Sequence, residues 1–274
     1  MTIVEKIKER IAKPIYRHKT PEGLGAQWCL PTMVLSPERR ARDNRRLMEL
    51  ALEACRVAAR EVDFSDLAAR PNCKRWLTVW PGEHYKLLAG LVKVLRPKVA
   101  VEIGTAKGLS ALAMKKYMPE GGRVVLFDIV RWDEISDTIF SREDFQNSEL
   151  RIQNSEVKEH GQPGTVAHAT PLAERVVLEQ RLGDLADGDV FEKHRELMES
   201  VEFLFVDGPK DNVFEWRLME HLRTVRFRKA PILVFDDTRL WSMPRFWREL
   251  PYPKLDVTSF GHSGGTGLLK WEQD

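Results

Sequence analysis

The chain has 274 residues, 43% hydrophobic and 31% charged, with a formal net charge of +2. That is enough chain for a full hydrophobic core, and the charge balance argues against nucleic acid or a membrane surface as partner. The N-terminal MTIVEKIKER has no apolar signal core, and no run approaches the roughly 18 apolar residues of a membrane span. Cys29, Cys55 and Cys73 are scattered and never in C-x-x-C spacing. A cytoplasmic protein with reduced thiols is the expectation, with neither a disulfide framework nor a zinc site.

Ser36-Pro37-Glu38 reads as a helix start: a hydroxyl cap, proline at the first helical position and an acid in the first turn. Leu47, Leu50, Ala51, Ala54, Val57 and Ala58 then recur at helical spacing. The arginines at 39, 40, 42, 45 and 46 read as a solvated face. Residues 1–80 are expected to form a helical extension, packed on the rest of the chain or on a second copy. The second case would make a homo-oligomer, most simply a dimer.

From residue 81 to 274 strands and helices alternate, which predicts an α/β domain: a doubly wound parallel sheet with helices on both faces. Pro81-Gly82-Glu83 opens a helix to Leu95, which Pro97 ends. The predicted strands are Lys98–Ile103, Val124–Asp128, Val176–Leu182, Val201–Val206 and Pro231–Phe235, with a helix from Gly108 to about Met118. Lys254–Phe260 and Thr266–Trp271 form a terminal hairpin across His262-Ser263-Gly264-Gly265. The stretch 129–175 is a long insertion, and such insertions in compact domains are functional lids or irregular segments.

Three tracts stop abruptly at acids: VAVEIGTAKGLS (99–110), VEFLFVDGPKDN (201–212) and ILVFDDTRLW (232–241). In an open parallel sheet such stops gather outside the carboxyl ends of the strands, where ligands bind. Glu102-x-Gly104-x-x-x-Gly108, with Thr105 and Ser110 inside the same tract, lies between a strand and a helix. Its glycines admit a ligand close to the backbone, and the helix start offers free amides. An acid replaces the first glycine of the dinucleotide pattern, which suits a cationic or amine-bearing ligand better than a pyrophosphate. Asp128 ends the second strand, where an acid can accept ribose hydroxyls, and Gly183-Asp184 ends the third, where it could meet an adenine.

Asp207 ends the fourth strand, and Asp236 and Asp237 end the fifth. Three carboxylates in one cleft repel, and a divalent cation is the simplest remedy. An all-oxygen set suits Mg²⁺, Mn²⁺ or Ca²⁺. The alternative is that some of these acids cap helices or pair with Arg239 or Lys210.

With these tracts the chain resembles the class I S-adenosylmethionine-dependent methyltransferases, over roughly Trp80–Trp271. The resemblance implies a Rossmann-like seven-stranded sheet with the last strand antiparallel. It also implies that Glu102 and Gly104 border the methionine part of the cofactor, Asp128 the ribose and Asp184 the adenine. FLFVDGPKDN followed by FDDTRLW is similar to the cation-dependent O-methyltransferases of the catechol and caffeoyl-coenzyme A type. In that branch an Asp after strand four and an Asp-Asn pair after strand five hold Mg²⁺, which implies Asp207, Asp236 and Asp237 here, with Asp207 also beside the cofactor. Asp at 237 departs from Asn and resembles the macrolide and sugar O-methyltransferases. A lysine three residues after the metal Asp is the general base in the catechol type, and Lys210 holds that place, although Gly208-Pro209 departs from its wording.

The reading is therefore a cation-dependent O-methyltransferase acting on a hydroxyl of a small phenolic, sugar or natural-product acceptor. A lysine base needs its pKa lowered by burial or a nearby cation, and pairing with an acid is the alternative for Lys210. His262, in the loop between the last two strands, is a second candidate for touching substrate or proton. Trp241, Phe246 and Trp247 are either an aromatic substrate wall or core. The competing readings are a metal-independent N- or C-methyltransferase of the same fold, another Rossmann-type enzyme, and a non-catalytic protein that kept the fold.

Overall fold

The computed structural model of the chain describes residues 45–73, 76–145, 176–240 and 243–272. The expected helix start at Ser36, the greater part of the 129–175 insertion and Trp241 lie outside them.

The sheet has seven strands: β1 (Val99–Ile103), β2 (Arg123–Asp128), β3 (Val177–Leu182), β4 (Phe203–Val206), β5 (Ile232–Asp236), β6 (Lys254–Asp256) and β7 (Thr266–Lys270). Their order is β3-β2-β1-β4-β5-β7-β6, with β1 to β5 parallel and β7 antiparallel to both its neighbours. Seven strands with the last one antiparallel are the sheet that the resemblance implies. The order reverses between β1 and β4, and a crevice opens at such a switch point.

β1, β2, β4 and β5 read as near-continuous apolar runs because both faces are covered, whereas β3 (VLEQRL), at the sheet edge, is only partly buried. Ala100, Val124, Leu126, Phe203, Phe205 and Val234 face one core, shared with α1 (Arg45–Glu61), α3 (Tyr85–Leu95) and α4 (Leu109–Tyr117). Val101, Ile103, Phe127, Leu204, Val206 and Phe235 face the other core. That side is covered by α5 (Gly188–Lys193), α6 (Arg195–Glu199), α7 (Phe214–Arg223) and α8 (Met243–Glu249). A one-turn helix, α2 (Ser65–Ala68), links α1 to the remainder.

The apolar stripe of α1 buries Leu47, Ala51, Ala54, Val57 and Ala58. A side chain the size of Leu47 contributes about 1.5–3 kcal/mol when fully buried. The close approach of α1 to α3 depends on Gly90, where a Cβ would collide with the Ala54 carbonyl. This helix of the N-terminal extension therefore shares the core of the sheet.

Three boundaries differ from the sequence reading. The helix expected from Pro81 begins at Tyr85, because Gly82 (φ 132°) makes a bridge with His262 and holds residues 81–84 out of the helix. β4 begins two residues later than predicted. β6 ends at Asp256, whose carboxylate accepts the Thr258 amide at 2.9 Å and turns the chain into a 3₁₀ segment, Thr258–Phe260. No helix among the described residues is long and apolar enough to cross a membrane.

Candidate active site

The loops after β1, β4 and β5 meet the β6–β7 loop on the carboxyl edge of the sheet. Of the six non-glycine residues with positive φ among the described residues, four stand in the loops after β1, β4 and β5: Ala106, Lys210, Asn212 and Asp237. Such backbone costs on the order of 1–3 kcal/mol per residue and persists where its surroundings over-determine it, a pattern of functional sites.

The β1–α4 loop begins at Gly104 (φ 84°), where a Cβ would run into the Asp207 carbonyl. Asp128 holds this loop from the end of β2. Its Oδ2 accepts the amides of Thr105 at 2.8 Å and Ala106 at 3.4 Å, and its Oδ1 accepts Val130 at 3.0 Å. Next to it the Gly183 amide bonds the Asp128 carbonyl at 3.0 Å, and exposed Asp184 accepts the Ala186 amide at 2.8 Å. Gly104, Thr105, Asp128, Gly183 and Asp184 thus share one rim.

Glu102 and Ser110 lie elsewhere. Glu102 is fully buried beneath the loop and its Oε1 accepts the Ser110 hydroxyl. Burial pushes its carboxyl well above the usual range. The acid anticipated beside a cationic ligand lies under the loop, with the Ser110 hydroxyl as its partner. Gly108 (φ 90°) starts α4 with the Phe140 ring against it, and the Ile139 amide bonds the Lys107 carbonyl at 3.0 Å. The first part of the insertion, residues 129–145, is thereby laid over the start of α4.

The acids converge as the topology demands. One carboxylate oxygen each from Asp207, Asp236 and Asp237 lie within 4.8 Å of one another. Lys210 sits among them, ion-paired with Asp207 and 3.6 Å from Asp237 Oδ2, while Arg239 pairs with Asp256 at 2.8 Å. His262 Nδ1 lies 3.1 Å from Asp237 Oδ1 and 3.5 Å from Asp236 Oδ1. Gly264 makes this possible, since a Cβ there would strike Asp237 Oδ1.

The electrostatics follow from the burial. Desolvation pushes the Asp207 carboxyl up to about 7, against the pull of Lys210. Burial also opposes the charge on Asp236, but His84, His262 and Lys210 hold its carboxyl below the ordinary value. Burial likewise opposes the Lys210 ammonium, and Asp207 with its neighbours outweighs it and raises the amine. The carboxylates of Asp236 and Asp237 beside it lift His262 to about 10. Lys210 as it stands is a charge partner of the acids.

His84 is the residue that sequence reasoning missed. It precedes α3, is 4% exposed and places Nδ1 3.5 Å from Asp236 Oδ1. Burial lowers its pKa. Only the Gly82–His262 bridge, a tertiary contact, could have flagged it. Glu215 was missed as well: buried on α7, it accepts the backbone amides of Lys210 and Asn212. Phe246 and Trp247 pack against Phe235 in the core.

Residues 72–148 match a family model described as O-methyltransferase. The matched stretch includes the β1–α4 loop and Asp128, and ends before Asp207. No curated protein matches the chain. Among solved structures, the O-methyltransferase from Bacillus cereus in complex with SAH is 15% identical, with a TM-score of 0.43, over 82% of this chain and 100% of that one. A methyltransferase from Geobacter sulfurreducens is 17% identical, with a TM-score of 0.42, over 86% and 93%. The O-methyltransferase TomG from Streptomyces achromogenes, in complex with SAM, is 16% identical, with a TM-score of 0.40, over 84% and 90%.

Proposed function

We propose that this chain, a member of the O-methyltransferase family through residues 72–148, moves a methyl group from S-adenosylmethionine to a hydroxyl of a small molecule, with a divalent cation at Asp207, Asp236 and Asp237. The observation that carries the reading is the convergence of those three carboxylates within 4.8 Å, against the wall formed by Gly104 and the Asp207 backbone.

The residues fit both groups. On the cofactor side Thr105 Oγ1 is buried with no hydrogen-bond partner, and Asp128 keeps acceptor capacity beyond its three amides. Gly104 and Thr105 would border the methionine part, Asp128 the ribose and Gly183-Asp184 the adenine. Glu102, Ser110 and Gly108 would support the loop from beneath. On the cation side Asp236 Oδ1 is buried without a hydrogen bond, and the three oxygens suit Mg²⁺, Mn²⁺ or Ca²⁺.

Methyl transfer from a sulfonium to an oxygen gains most from alignment of the two reactants. The shared wall between Gly104 and Asp207 would fix their separation. A hard cation, when bound, lowers the pKa of an adjacent hydroxyl. Lys210 Nζ reaches the same carboxylates, which raise its pKa; it would take the acceptor's proton only where a cation bound to those acids lowered it. Exhaustive chelation is expected to abolish turnover while sparing most S-adenosylmethionine affinity.

One observation favours a second reading. The Lys210 ammonium already offsets the charge of Asp207 and Asp237, as a metal-independent N- or C-methyltransferase would require. Full turnover after chelation would select that reading.

A further inference from the structure

We infer that His84, Asp236 and His262 form a second cation site, built for a divalent transition metal of the zinc, iron or cobalt kind. It shares Asp236 with the hard-cation position, but its donors are two imidazoles and one carboxylate. It does not depend on the methyl acceptor, or on methyl transfer at all.

One donor atom from each of the three residues lies within 4.8 Å of the others. Asp236 Oδ1 is 3.5 Å from His84 Nδ1 and 3.5 Å from His262 Nδ1. Two ligand atoms bonded to one ion at about 2.0–2.1 Å stand roughly 2.8–3.4 Å apart, from right-angled to tetrahedral geometry. Both distances to Asp236 Oδ1 lie just beyond that range. The two rings meet edge to face, 84° between planes with centroids 5.7 Å apart, so they approach the carboxylate from different sides.

Hydrogen bonding points the same way. His84 is 4% exposed, and neither of its ring nitrogens has a hydrogen-bond partner. Asp236 Oδ1, 3.5 Å from Nδ1 of each histidine, also lacks one, while His262 Nδ1 is hydrogen-bonded to Asp237 Oδ1 at 3.1 Å. Buried polar atoms left without partners are rare and costly. A single ion would satisfy His84 Nδ1 and Asp236 Oδ1 together. Behind His262, Glu83 Oε2 lies 4.0 Å from Nε2, outside hydrogen-bond distance.

The donor set decides the class of metal. Imidazole nitrogens suit zinc, iron, nickel and copper, whereas carboxylates alone suit magnesium and calcium. Two histidines and one carboxylate with open positions are the donor set of non-haem iron(II) sites. The bridge between Gly82 and His262 ties the two histidine segments together, so the site is a product of the fold and not of one loop.

Co²⁺ titration of metal-stripped protein, followed by visible absorption, tests the site without reference to turnover. His84→Gln and His262→Gln are each expected to weaken Co²⁺ binding about tenfold or more. Asp207→Asn, which touches only the oxygen set, should leave it within about twofold. X-ray absorption of the Zn²⁺-loaded wild type needs no variant and should show two imidazole ligands. Zinc without imidazole scattering, or Co²⁺ affinity unchanged in both histidine variants, overturns the site. So does Co²⁺ binding that is lost in Asp207→Asn alone. Loss of Mg²⁺-dependent turnover in Asp207→Asn is a separate result and bears only on the methyl-transfer reading.

Discussion

The Glu215 carboxylate accepts the backbone amide of Lys210 at 3.0 Å, and its second oxygen takes Asn212 at 2.9 Å. Lys210 and Asn212 both have positive φ, at 57° and 66°. Glu215, from the first turn of α7, therefore holds the strained loop that carries Lys210 to the acids.

Glu215→Ala leaves two part-buried amides without acceptors and should cost about 1–3 kcal/mol of stability, read by urea unfolding. Turnover should fall further than stability alone explains, because Lys210 loses its position. Glu215→Gln keeps one acceptor oxygen and should lie between. An alanine variant with wild-type stability and turnover would show that the loop holds its shape unaided.

Asp128 should control cofactor affinity. Asp128→Ala removes a ribose acceptor and the anchor of the Thr105 and Ala106 amides together. Calorimetry is expected to show S-adenosylmethionine binding weakened by roughly 1–3 kcal/mol. Asp128→Asn, which keeps one carbonyl oxygen for the Thr105 amide, should lose less. Equal affinity in all three proteins would place the cofactor elsewhere.

Acid should release the insertion from the core. Arg70 pairs with Asp144 at 2.6 Å, tying the segment after α2 to residues 142–145. Burial opposes the Asp144 charge, but Arg70 and the Ser141 amide hold its pKa below the ordinary value. A depressed carboxyl contributes stability above its unfolded pKa of about 3.9 and loses it as pH falls through the folded value. Arg70→Met should therefore be less stable than wild type near neutrality, on the order of 1–2 kcal/mol. The gap should close below about pH 4. A gap constant down to pH 3 would mean the loss comes from packing.

β1, β2, β4 and β5 were legible because each is a short apolar run that ends at a turn or an acid, with both faces buried. Asp207, Asp236 and Asp237 were legible as neighbours for the same reason: strand ends of one sheet share an edge. The His84 contact was not, since a histidine at a helix start carries no local sign of its tertiary partner. Glu102 read as an acid beside the ligand, yet the sequence has no marker for depth below a loop, and Glu102 is fully buried beneath it. The pairing of Lys210 with Asp207 was open from spacing alone, because three residues of chain after a strand allow several backbone paths. Positive φ at Lys210 and Asn212, imposed by Glu215, selects the one seen.

The proton acceptor is the sharpest remaining test of the site. Lys210→Met keeps the aliphatic stem and removes the amine, so cofactor binding should persist while turnover falls, typically about 10²–10⁴-fold for a lost acid–base group. Removing the ammonium also uncovers Asp207, whose carboxyl already sits near 7. The variant should therefore bind Mg²⁺ more tightly even as it turns over more slowly. His262→Ala leaves Lys210 among the acids and should have the smaller effect on turnover at saturating Mg²⁺. If Lys210→Met keeps near-normal turnover while His262→Ala is inactive with its cofactor affinity intact, the β6–β7 loop supplies the base. Lys210 would then serve only to balance the charge of Asp207 and Asp237.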